Sequence, residues 1–139
     1  MALKPGYFCR QSGVVPYRLR KGKLEVFLIT SRSNKRWIIP KGIIERNYSA
    51  RNSAAKEALE EAGIEGRLGA DPLGTYTYEK WGGVCTVELF AMEVLTSYDV
   101  WPESYRDRIW FSPAEAAERV NEPELKRIIL EFEPAQPDK

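Results

Sequence analysis

Three carboxylates stand at relative positions i, i+3 and i+4 within the stretch Gly42 to Ile64: Glu57, Glu60 and Glu61. On a helix this spacing puts all three on one side, within reach of a single ion. Close anions repel one another unless something positive lies between them. An all-oxygen set suits a hard divalent cation, Mg²⁺ or Mn²⁺, which often bridges protein carboxylates to substrate phosphates. Taken alone, E-x-x-E-E also describes an ordinary solvated helix face. The chain has no histidine. A Ser-His-Asp or Cys-His mechanism and a histidine-ligated zinc site are therefore excluded. Acid–base work falls to carboxylates, Lys, Tyr or water activated by a metal.

The helix that would carry these acids has its own signals. Ser49 is an N-cap residue, and Gly63 is a natural stop. Ala54, Ala55, Ala58, Leu59 and Ala62 form an apolar stripe on roughly the opposite side, small enough to lie close against a sheet. Upstream, Ser12–Arg18 reads as a strand in which Pro16 marks a bulge or an edge. Lys21-Gly22-Lys23 is a turn, and Leu24–Ser31 reads as a buried strand. A loop over Arg32–Arg36 leads to a short strand at Trp37-Ile38-Ile39, stopped by Pro40, and a further loop precedes the helix. Downstream, Gly66–Asp71 connects to strands at Leu73–Glu79 and Val84–Leu95 through a turn at Trp81-Gly82-Gly83. A loop over Thr96–Ser104 precedes a last strand at Arg108–Phe111. Helices at Pro113–Val120 and Pro123–Phe132 follow, then a frayed tail from Glu133. No repeat or linker divides the chain, so one domain over residues 1–139 is expected, with a mixed sheet flanked by helices.

The segment Lys56-Glu57-Ala58-Leu59-Glu60-Glu61-Ala62-Gly63-Ile64 resembles the end of the Nudix box, R-E-U-x-E-E-x-G-U, with U a bulky aliphatic residue. Gly42 falls on the first glycine of that box, and Trp37-Ile38-Ile39-Pro40-Lys41-Gly42 resembles the W-x-x-P-K-G that precedes it in many Nudix hydrolases. Three positions depart from the pattern: Tyr48 where the box has Glu, Lys56 where it has Arg, and Ala58 where it has a bulky aliphatic. Lys keeps the charge of Arg but loses its bidentate fork. Between about residues 10 and 132 the chain also resembles the diphosphoinositol polyphosphate phosphohydrolase branch and its bacterial relatives, with Arg106-Asp107-Arg108-Ile109-Trp110-Phe111 among the shared segments. The resemblance implies an α/β fold, the Nudix-type α/β/α sandwich with a mixed sheet. It implies a Mg²⁺-dependent (or Mn²⁺-dependent) pyrophosphohydrolase in which Gly42, through its carbonyl, joins Glu57, Glu60 and Glu61 at the metal.

Either Glu57 or Glu61 can be the general base; sequence does not choose between them. Glu88, on the long strand, is the candidate further acid, although alternation sends half of strand residues outward. Arg32, Lys35, Arg36 and Lys41 surround the approach to the box, and Arg10, Arg106 and Arg108 match basic positions in the polyphosphate-cleaving relatives. As a cluster they favour a highly anionic small-molecule substrate. Tyr76, Tyr78 and Trp81 either stack on a nucleobase or form one packed face. The expected reaction is hydrolysis of a diphosphate linkage in a diphosphoinositol polyphosphate or dinucleoside polyphosphate. Alternatives are a nucleoside triphosphate, a nucleotide sugar, a capped RNA end, or a catalytically weak Nudix-like nucleotide-binding regulator, the last suggested by Tyr48.

Composition fits this reading. A net charge of +1 gives no bulk attraction to nucleic acid or anionic membrane, so no stable nucleic-acid partner is expected. No apolar run reaches the ~18 residues that span a bilayer, and the first residues lack a signal peptide's apolar core. Two cysteines far apart in sequence suit free thiols in a reducing cytoplasm. A cytoplasmic monomer or homodimer is expected.

Overall fold

The computed structural model describes residues 8–134 apart from residue 81. The expectations for the leader region, the Trp81 ring and most of the tail lie outside the described residues. In chain order the elements are β1 (Phe8–Arg20), β2 (Lys23–Thr30), β3 (Trp37–Ile38), β4 (Lys41–Ile43) and α1 (Ala50–Glu57). A π-helical turn over Ala58–Ala62 continues α1. Then come β5 (Ile64–Leu68), β6 (Gly74–Lys80), β7 (Gly83–Ser97), β8 (Arg108–Phe111), α2 (Pro113–Arg119) and α3 (Pro123–Glu131).

Among the described residues all eight strands share one sheet, ordered β3-β2-β1-β7-β5, with β4 paired to β1, β6 to β7 and β8 to β2. The β1–β7 ladder is parallel and the other pairings are antiparallel, so the sheet is mixed. Strand alternation sends neighbouring residues to opposite cores. Val15, Leu28, Tyr76, Val87 and Leu89 pack against Ala116, Leu125 and Ile129 of α2 and α3. Val14, Phe27, Ile29, Phe90 and Met92 pack against Ala54, Ala58 and Ala62. The sheet is thus covered by helices on both faces, as an α/β/α sandwich requires.

Several boundaries differ from expectation for physical reasons. β1 starts at residue 8 rather than 12 and is central, not an edge. Pro16 is tolerated there because β1 changes antiparallel partner around it. Residues 11–13 pair with β4, Val14 N–H bonds Pro40 O, and pairing with β2 begins at Tyr17. No ladder donor is needed at the proline. β4 forms where a loop was expected, because Lys41–Ile43 has the free side of β1 to pair with. β5 was missed because Gly66 interrupts its pattern. That glycine sits at a bulge against β7, where a Cβ would lie 1.8 Å from Glu93 O.

Candidate active site

Small residues set the depth of the helix. Ser49 Oγ caps α1 by accepting from Asn52 N at 3.0 Å. Ser53 Oγ donates to Ile43 O at 3.2 Å, tying the helix to β4. Ala54, Ala58 and Ala62 are fully buried against the sheet. With no longer side chain to hold it off, the helix brings Glu57 onto the backbone of β4. A Cβ on Gly42 would lie 2.3 Å from Glu57 Cδ and 2.6 Å from its Oε2, so only glycine leaves room for this carboxylate. One turn on, Lys41 N donates to Glu61 Oε1 at 3.2 Å.

The π-helical turn inserts extra residue spacing between Glu57 and Glu61, and such turns recur at functional sites. The three carboxylates of the motif are divided by it. Glu57 and Glu61 face a common cavity. Glu60 instead accepts from Lys56 Nζ at 3.0 Å, and the same ammonium donates to Glu45 Oε1 at 2.7 Å. The bonds to Glu45 and then Glu60 raise the Lys56 pKa. The Lys56 ammonium also lies 5.9 Å from the ring centroid of exposed Tyr48. The position where the box pattern has Glu is therefore aromatic here, yet Glu45 supplies a carboxylate to that corner.

The cavity has a volume of about 710 Å³. Glu45, Glu57, Glu61 and Glu103 contribute acids to its lining, beside the backbone of Gly42. Arg32, Arg36, Lys41, Lys80 and Arg106 contribute cations. Arg32 and Arg36 are exposed at its rim. Arg106 is buried, donating to Glu103 Oε1 at 2.8 and 3.0 Å and to Thr30 O at 2.8 Å. Burial lowers the Lys41 pKa, with the Glu61 charge opposing that shift, and its ammonium lies 4.9 Å from the Tyr78 ring centroid.

Other candidates sit elsewhere. Arg10 is exposed on β1, outside the cavity lining. Arg108 donates to Ala62 O at 2.9 Å, at the end of the helix. Lys35 is exposed and does not line the cavity. Glu88 is half-buried on β7, in register with Ser12. Tyr76 is buried in the core and Tyr78 packs against it, its hydroxyl donating to Gln11 Oε1 at 2.6 Å, so these rings form a packed face. Glu103, Glu45, Lys80 and Gln11 were not singled out from sequence. No local motif distinguishes them, because separate segments deliver them to the cavity.

Glu57 and Glu61 are each pushed up to about 7, foremost by burial. For Glu57 the Glu60 charge adds to this. For Glu61 the Arg106 charge and the Lys41 N–H oppose it. Two desolvated carboxylates facing one space are what a hard cation would relieve. Among the described residues no three acidic, His or Cys side chains already converge on one point. Even so, the donor chemistry fits a hard cation: two carboxylates, the adjacent Gly42 carbonyl, and Glu60 behind an ion pair. Ser12 fits as well. Its hydroxyl is buried without a hydrogen-bond partner, and its register places it on the same face as Gly42 and Glu88.

A family model described as NUDIX domain matches residues 10–132. The chain is 33% identical over 144 residues to Nudix hydrolase 13, mitochondrial, of Arabidopsis thaliana, covering 87% of this chain and 71% of that protein. It is 28% identical to diphosphoinositol polyphosphate phosphohydrolase 3-alpha of Mus musculus, covering 81% and 69%. The crystal structure of C. elegans Ap4A hydrolase superposes with a TM-score of 0.69 at 22% identity, covering 89% of this chain and 95% of that one. At that identity the structural likeness concerns the fold.

Two outcomes follow from the geometry. The folded pKa values near 7 exceed the ordinary value of 4.5. Between those values the folded state binds more protons than the unfolded state. The associated stability is full below pH 4.5 and is lost as pH rises through about 7. Thermal unfolding of metal-free protein should show Tm falling from about pH 5 to 8, and saturating Mg²⁺ should suppress the fall. Replacing both Glu57 and Glu61 by Gln should flatten it. Separately, Gly42→Ala should displace the Glu57 carboxylate. Because misplacement by about 1 Å can cost ~100-fold in rate, steady-state kinetics should show a loss of that order with an unchanged circular dichroism spectrum.

Proposed function

The chain belongs to the Nudix family and is a pyrophosphohydrolase of the Nudix kind, and on that premise we propose that it cleaves a diphosphate linkage in a diphosphoinositol polyphosphate or dinucleoside polyphosphate. The observation that supports the substrate class is the cavity's mixed charge. Its lining brings Glu45, Glu57, Glu61 and Glu103 together with Arg32, Arg36, Lys41, Lys80 and Arg106. The cations can hold a chain of phosphates while the scissile anhydride meets the carboxylates.

Nudix enzymes generally use divalent metals. Here we assign Glu57, Glu61 and the Gly42 carbonyl to hold Mg²⁺ (or Mn²⁺). When bound, the cation would neutralise phosphate charge and make water a better nucleophile. Glu60, which is paired with Lys56, would complete the set once released from that ion pair.

The chain's own residues then divide the work. Arg32 and Arg36 grip terminal phosphates, and Lys41 acts as a half-buried point charge. Glu57 or Glu61 accepts the proton of the attacking water as its oxygen bonds to phosphorus and the bridging P–O bond breaks. Arg106 sets the local positive potential beside Glu61. Glu88 and Ser12, in register beside Gly42, are assigned an auxiliary role and would support the cation site from the sheet. Arg10 and Arg108 lie further from the chemistry and tune approach and support, respectively. A cytoplasmic setting is part of the proposal, supported by the free, buried thiols of Cys9 and Cys85. No helix among the described residues is long and apolar enough to cross a membrane.

The substrate class is tested by steady-state kinetics on a Mg²⁺-supplemented panel. The panel runs from a nucleotide sugar through a nucleoside triphosphate to dinucleoside tetra- and pentaphosphates and diphosphoinositol polyphosphates. Efficiency should rise with phosphate number and vary little between adenine and guanine. Arg32→Ala should cost ~10-fold on the longest substrates, since a charge-assisted contact is worth ~1.5–3 kcal/mol when desolvated and less at a rim. A sharp preference for one base in a mononucleotide, with long polyphosphates cleaved poorly, would contradict this class.

A further inference from the structure

Helix ends leave their last four carbonyls without intrahelical partners. At the end of the site helix, the carbonyls of residues 60, 61, 62 and 63 each accept a hydrogen bond from a single segment, residues 98–108. Glu103 N–H reaches Glu60 O at 3.1 Å, and Tyr98 N–H reaches Gly63 O at 2.8 Å. Between them, Trp101 Nε1–H donates to Glu61 O at 3.0 Å and Arg108 donates to Ala62 O at 2.9 Å. The two side chains brace each other, with the Arg108 guanidinium 3.8 Å from the Trp101 ring centroid. The ring lies against Gly63, where a Cβ would come within 2.8 Å of Trp101 Cγ. A cation at this end also complements the helix dipole.

Glu61 is therefore held at both ends. Its carbonyl is bonded by Trp101, and its carboxylate is bonded by Lys41 N from β4 at 3.2 Å. It lies in a π-helical turn, whose wide spacing is uncommon unless tertiary contacts support it. We infer that Trp101, braced by Arg108, is a positioning residue for catalysis: its indole N–H fixes the Glu61 backbone in the π-turn and so aims the Glu61 carboxylate into the cavity. The inference rests on the assignment of Glu61 to the metal site. Neither residue lines the cavity, so neither touches substrate in this arrangement. The same segment carries Glu103, which does line it, so the brace also sets one wall of the site.

The test is Trp101→Phe in the full chain. Phe keeps an aromatic ring over Gly63 and under Arg108 but lacks the N–H. Mn²⁺ affinity is measured by calorimetry without substrate, and kinetics on a dinucleoside tetraphosphate are measured well below the melting transition. We expect Mn²⁺ affinity and kcat each to fall ~10–100-fold, the usual effect of losing a supporting contact at a metal site. KM should stay within about twofold. Arg108→Gln, which leaves Trp101 in place but removes its brace, should shift both quantities in the same direction and less; it serves as the test if Trp101→Phe does not fold. Glu61→Gln is measured in parallel. A lowered Tm with parent-like Mn²⁺ affinity and kcat, while Glu61→Gln is impaired, would make Trp101 merely structural and overturn the inference alone. Parent-like Mn²⁺ affinity and kcat in Glu61→Gln as well would overturn the site assignment and the inference with it.

Discussion

The close approach of one helix to one sheet is the constraint on which the site depends. Ala54, Ala58 and Ala62 let α1 and its π-turn settle onto Val14, Phe90 and Met92, and Gly42 removes the last obstacle on β4. The acids are thereby pressed against backbone rather than left in solvent. Lengthening any of these small residues would lift the helix and restore ordinary hydration to Glu57 and Glu61. The apolar packing that stabilises this face thus also creates the electrostatic tension at the site.

That tension makes the acidic pair chemically useful. Burial pushes both carboxyls well above the usual carboxylate range, with the Glu60 charge adding to it at Glu57 and the Arg106 charge opposing it at Glu61. Groups shifted this way, in a cavity that also holds cations, mark a functional site. Much of the polar scaffolding around them serves to hold this arrangement. Lys56 gathers Glu45 and Glu60. Arg106 ties Glu103 to the end of β2. The segment ending at Arg108 closes the helix. Charges that resemble substrate ligands in the sequence are thus shared between holding the site together and facing the cavity.

The sequence made the helix and its chemistry legible, because both are local. Ser49, the alanine stripe, Gly63 and E-x-x-E-E all lie within one short window, and each signal has a physical meaning that does not depend on the rest of the chain. Strand existence was legible for the same reason, from β-branched runs such as Leu24–Ser31. Other features were not. The strands β4 and β5 owe their form to partners remote in sequence, so Lys41–Ile43 and Ile64–Leu68 carry no strong strand pattern of their own. The cavity was only partly legible, since Glu103, Lys80 and Gln11 reach it from separate segments. Arg108 stands in a strand register that turns it towards Ala62 O, which no count of basic residues reveals. The π-turn was equally hidden: the i, i+3, i+4 rule assumes a uniform α-helix, and the wider turn separates Glu60 from its two neighbours.

The central claim is that Glu57 and Glu61, pressed together by the helix, form the seat of the divalent cation. Calorimetric titration of Mn²⁺ into the folded parent, Glu57→Gln and Glu61→Gln tests it most directly, because it needs no substrate. The account predicts saturable binding to the parent and a loss of at least ~10-fold in affinity in each variant, in line with the cost of perturbing metal sites. Unchanged Mn²⁺ affinity in both folded variants would contradict it.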